Sequence, residues 1–141
     1  MKLNILYIIC IFHLSNAINL IPHQLLSPAL KNKVSKKYSG IDNSIYEYKI
    51  NTLVAMSLDI SCFKNNNIAK ESFYRQLHVI SGMKKLDHKL STMPTAENKI
   101  RDGIIDMYLV RNCVLQIYQN NKKITQTEKL LQKELAYINS L

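Results

Sequence analysis

A chain of 141 residues with 19 lysines and arginines against 10 aspartates and glutamates, net +9 at pH 7, is sized for one domain around one core and favours acidic partners. Glycine and proline number only three each, so the frequent turns of an all-β sandwich are missing and helices are the default expectation. Lysine supplies 16 of the basic groups, spread over every segment without interleaved aromatics, which argues against a nucleic-acid surface.

The N-terminus has the three parts of a secretory signal: Lys2 as the positive region, an apolar run from Leu3 to Leu14, and Ser15-Asn16-Ala17 with small residues where a signal peptidase reads. The run is shorter than the roughly 20 residues a permanent membrane helix needs, and no later stretch reaches that length without a charge. Residues 1–17 are therefore expected to be removed, leaving 18–141 as one extracellular domain with no membrane insertion. Loss of Lys2 sets 18 basic groups against 10 acidic ones, a net charge of +8.

Helix signals follow along the mature chain. Ser27-Pro28 reads as a cap followed by proline in the first turn, with Leu30, Val34 and Tyr38 on one face and Gly40 as the stop. From Ile41 to Ser61 the pattern is mixed: Tyr46, Tyr48 and Ile50 alternate like a strand, while Leu53, Met56 and Ile60 recur at helical spacing. Asn65-Asn66-Asn67 can cap a second helix over about 68–90, striped by Phe73, Leu77, Ile80, Met83 and Leu90.

Past the connector Ser91–Thr95, a third helix is marked by Ile100, Ile104, Met107, Val114 and Ile117, with Ile105, Tyr108, Leu109 and Val110 widening its apolar side. Thr125-Gln126-Thr127-Glu128 fits the capping box of a fourth, whose inner face is Leu131, Leu135 and Ile138. Four such segments pack most economically as an all-α four-helix bundle, with a short extended segment between the first and second helices. A three-helix bundle with an irregular N-terminal third is the alternative.

Cys10 leaves with the signal, so the secreted chain keeps Cys62 and Cys113 in an oxidising route. They are expected to pair with each other, the rival being intermolecular bridges in a covalent dimer. No Asn-x-Ser/Thr acceptor occurs. The abundance of Ile, Asn, Lys and Tyr fits an A+T-rich coding sequence such as a viral or parasite genome.

Catalytic signals are few. The chain has no nucleophile elbow, phosphate-binding glycine loop, H-E-x-x-H or C-x-x-C. His23, His78 and His88 lack the spacing that puts two metal ligands on one helix face. Asp102 and Asp106, one helical turn apart, read as a solvated face. No enzyme activity, cofactor or metal is expected. A basic helix lying in a lipid surface is a minor possibility, set against by Glu128 and Glu134 in the last helix.

Leu58-Asp59-Ile60, then Lys64-Asn65-Asn66, then Lys70-Glu71-Ser72-Phe73 resembles the stretch leading into the second helix of the short-chain four-helix-bundle cytokines, nearest to the interleukin-4 and interleukin-13 group. The cysteine placement is similar, although Tyr74 stands where interleukin-4 has a cysteine. The resemblance implies up-up-down-down topology and a charged receptor patch on the first and third helices. Ser27 to Tyr38 contains no acidic residue, which leaves Arg101 and Arg111 on the third helix as candidate receptor contacts.

The expected function is a secreted cytokine-like ligand and immune modulator of viral or host origin. It would bind a cell-surface receptor ectodomain as a monomer rather than a disulfide-linked dimer, with anionic glycans as a further partner class. The alternative is a secreted helical effector of unrelated fold that binds a host protein.

Overall fold

Tyr46, Tyr48, Met56, Leu58 and Ile60 alternate with polar neighbours at a period of two, the signature of strands with one face in a core. The structure, a computed structural model, describes residues 19–79, 85–90, 93–100, 103–120 and 125–141. The signal segment 1–17, Arg101 and Asp102 lie outside the described residues.

The elements in chain order are a 3-10 turn at Pro22–Leu25, a single helical turn α1 (Pro28–Lys31), and strands β1 (Ser35–Ser39), β2 (Asn43–Ile50) and β3 (Leu53–Cys62). Helix α2 (Asn66–Val79) follows, then β4 (Lys85–Leu90), β5 (Met93–Ile100), β6 (Gly103–Val110), β7 (Cys113–Asn120) and helix α3 (Thr125–Ser140). Among the described residues the strands form one antiparallel sheet in the order β1-β2-β3-β7-β6-β5-β4. Two meanders, one of three strands and one of four, thus meet where β3 pairs with β7.

The expected all-α four-helix bundle is overturned by this sheet, and the interleukin-like assignment with it. The stretch read as one third helix is three strands. Ile104, Ile105, Val110, Val114 and Ile117 are β-branched and favour strands, and the half-buried Arg111 and buried Asn112 form the turn between Val110 and Cys113. Of the first expected helix only Pro28–Lys31 is helical, and the second ends at Val79 before β4 begins at Lys85. The likeness from Leu58 to Phe73 spans the end of β3, a loop and the first turns of α2, so it carries neither bundle topology nor a receptor patch.

The two sheet faces are unequal. On one, the row Tyr46, Leu58, Ile117, Asp106 and the row Ser44, Ile60, Leu115, Tyr108 run across four strands. This face is covered by Leu25, Leu26 and Leu30 of the N-terminal arm and by Leu130 and Ile138 of α3, and together they make the main core. On the other face, Phe73 and Leu77 of α2 cover Met107, Leu109 and Val114 of β6 and β7. On that side of β2 and β3, Glu47, Ser57, Asp59 and Ser61 are polar and half-buried, with the half-buried Ile45 among them.

Gly103 opens β6 because a Cβ there would come within 2.0 Å of the Gln119 carbonyl oxygen on β7. Asp106, expected on a solvated face, is instead buried on the core side of β6, where Gln119 Nε2 donates to its Oδ2 at 3.3 Å.

Cys62 and Cys113 stand directly opposite each other at the β3–β7 seam and are joined by a disulfide, with Cα atoms 4.0 Å apart. The Cys62 N–H turns away to the Asp42 carbonyl while Phe63 N–H bonds Asn112 O. The cysteines therefore occupy a non-hydrogen-bonded pair, where opposed side chains come closest.

Glu134 lies on the buried face of α3 with no exposure, and its Oε2 accepts the Ser27 N–H at 2.8 Å while Oε1 has no partner. Ser27 in turn caps α1 through Leu30 N–H, so one carboxyl ties the N-terminal arm to the C-terminal helix. Burial among apolar side chains pushes the Glu134 carboxyl above the usual carboxylate range, against the opposing pull of its side-chain and backbone hydrogen bonds with Ser27.

Two outcomes follow from these contacts. Replacing both cysteines with alanine opens a 51-residue separation and should lower stability by about 4 kcal/mol on the chain-entropy relation, measured by urea unfolding. For Glu134 the folded-state pKa lies above the unfolded value of 4.5, so the fold favours the protonated form. Its contribution is best below the unfolded value and declines as pH rises through the folded one. Glu134→Gln keeps an acceptor for Ser27 and carries no charge. It should match the parent near pH 4.5 and exceed it at neutral pH, read from urea midpoints across that range.

Candidate functional site

At the end of the sheet that carries the disulfide, four connections converge because adjacent antiparallel strands must turn there. They are the β1–β2 turn, the loop after β3, the β6–β7 turn, and the first residues of the N-terminal arm. Between the N-terminal arm, the β1–β2 turn and the loop after β3 is an open cleft of about 720 Å3, within the range of roughly 300–1,000 Å3 typical of ligand pockets. Its floor is apolar, made by Leu20, Ile21, Cys62, Phe63 and Ile68. Asp42, Asn43, Ser61 and Lys64 form polar edges.

Asn112 holds the cleft together. It is buried, its Oδ1 accepts the Leu20 N–H at 2.7 Å, and its Nδ2 donates to Leu20 O at 2.8 Å and Phe63 O at 3.1 Å. One side-chain amide thus pairs Leu20 as a neighbouring strand would, in a place where unpaired backbone groups would be costly. Asn19 Nδ2 donates to Lys64 O and fastens the arm to the loop after β3.

Asn43 Nδ2 reaches Ser61 Oγ at 2.8 Å and Asp59 Oδ1 at 3.2 Å, fixing the cleft wall across β2 and β3. Helix α2 starts at the cleft mouth, where Asn65 Oδ1 caps the Ile68 N–H at 2.9 Å.

Arg111, a candidate receptor contact from the sequence, sits in the β6–β7 turn at this same end, half-buried, at φ 54°. A side chain held in left-handed backbone costs about 1–2 kcal/mol, which the surrounding pairing of Val110 with Cys113 and the Asn112 bonds must offset. It is not among the residues lining the cleft, and the structure does not bring it together with Arg101, which lies outside the described residues.

His23 is exposed in the 3-10 turn, and His78 and His88 fall on α2 and β4. Among the described residues no three His, Cys, Asp or Glu side chains gather as a metal site, and no helix is long and apolar enough to cross a membrane.

Sequence reasoning missed Asn112, Asp42 and Lys64. The available signal was the polar pair Arg111-Asn112 between the apolar runs Ile104–Val110 and Cys113–Ile117, which reads as a turn once strands are considered. A comparison with protein families, curated proteins and solved structures finds no match to the chain.

Asn112→Ala leaves the Leu20 amide and carbonyl unpaired in a buried place. It should cost about 3 kcal/mol and remove hydrogen-exchange protection at the Leu20 amide, read by mass spectrometry or NMR.

Proposed function

We propose that the protein is a secreted, non-catalytic binding protein that engages an extracellular protein, such as a receptor ectodomain, through the disulfide end of its sheet. The observation that carries this reading is where its exposed apolar side chains gather. Six large ones are exposed among the described residues, and Ile21 (52 %), Tyr38 (54 %), Ile41 (88 %) and Ile68 (39 %) belong to the segments that build the cleft end.

Clustered apolar exposure beside a concave floor marks an interaction surface, because isolated exposed residues carry no such cost in common. The anchors would supply affinity, and the net charge of +8 left once Lys2 is lost with the signal would speed encounter with an acidic partner face.

The disulfide supports an oxidising, extracellular setting, in keeping with the signal-like N-terminus. Arg111 lies in the turn at the same end and is kept as a rim contact. Because the fold is a sheet, the ligand reading now rests on this surface and owes nothing to a helical bundle.

Ile41→Asp and Ile68→Asp should each weaken binding to a recognised ectodomain at least tenfold, about 1.4 kcal/mol, with an unchanged melting temperature. Leu141→Asp, at the C-terminus, should leave binding intact. The measurement is surface plasmon resonance against a panel of receptor ectodomains with heparin alongside. Capture by heparin with no ectodomain bound would overturn the proposal.

A further inference from the structure

Two opposite charges flank the apolar floor of the cleft, Asp42 from the β1–β2 turn and Lys64 from the loop after β3. Both are exposed, and among the described residues neither enters an ion pair. One free charge of each sign beside the apolar lining gives the cleft a field that favours an occupant carrying both signs.

Three kinds of occupant can be weighed against that field. An anionic membrane or glycan calls for a uniformly basic rim, and Asp42 opposes it. A purely apolar molecule gains nothing from either charge. A peptide segment with an apolar residue between one basic and one acidic residue satisfies the floor and both edges at once.

We infer that the cleft receives such a segment of the protein partner, with its basic side chain toward Asp42 and its acidic side chain toward Lys64. The inference rests on the reading of this end as a protein-binding surface. Leu20, Ile21, Phe63 and Ile68 take the apolar anchor. The two exposed charges add little affinity singly, and their role is to set the direction of the chain and reject like-charged sequences.

The test uses the disulfide-bonded protein and three capped synthetic peptides sharing a Leu-Phe core, flanked by Lys and Glu, by two Lys, or by two Glu. Binding is followed by calorimetry and NMR shift mapping. The mixed peptide should bind at least fivefold tighter than either other, with shifts centred on Phe63 and Ile68. Asp42→Lys should switch the preference to the peptide with two Glu, and Lys64→Glu to the one with two Lys. The double reversal should restore the mixed preference, since the peptide can bind end for end.

Equal affinity for all three peptides, an unchanged preference in the single variants, or no peptide binding at all would each overturn the inference. The broader reading has a separate readout. Loss of ectodomain binding in Ile68→Asp sustains it even when every peptide fails.

Discussion

Strands β3 and β7 pair over seven residue positions, from Met56 with Gln119 to Cys62 with Cys113, although their bridged ends are 51 residues apart in sequence. Every other strand pairing in the sheet joins chain neighbours. The entropy of closing the chain is therefore concentrated in this one seam, and the disulfide sits at its end. The main core draws on both sides of the seam, with Leu58 and Ile60 from one meander and Leu115 and Ile117 from the other.

The cleft is a consequence of that arrangement. A seam between two meanders needs its strand ends closed by whatever segments lie near, and here these are the N-terminal arm and the loop into α2. Asn112 stands in for backbone at Leu20 because no strand continues there. The same bonds bring the apolar residues of the arm beside Phe63 and Ile68, which is how residues far apart in sequence come to share one surface.

Part of this was legible in the chain. The run from Thr125 reads as an amphipathic helix and is one, the Asn65 cap is placed as its side-chain chemistry suggests, and Tyr46, Tyr48 and Ile50 alternate like the strand they form. Helical spacing misled at Ile104–Val110 because α2 covers one face of β6 and the main core covers the other. A strand buried on both sides presents a near-continuous apolar run, which periodicity cannot tell from a buried helix. The turns added to the difficulty, since they use Asn51 and Arg111 at positive φ in place of glycine. The cleft was illegible for another reason: its members meet only through the pairing of β2 with β3 and through the Asn112 bonds that fasten the N-terminal arm beside them.

Strand β1 closes one side of the sheet with every residue exposed, so its outer backbone groups face solvent and could template association with another chain. It presents Lys36 and Lys37, and its register with β2 slips between Lys36 and Tyr38. Cationic side chains and an irregular ladder both frustrate edge-to-edge growth. That flank of the molecule is thus guarded against edge-to-edge polymerisation.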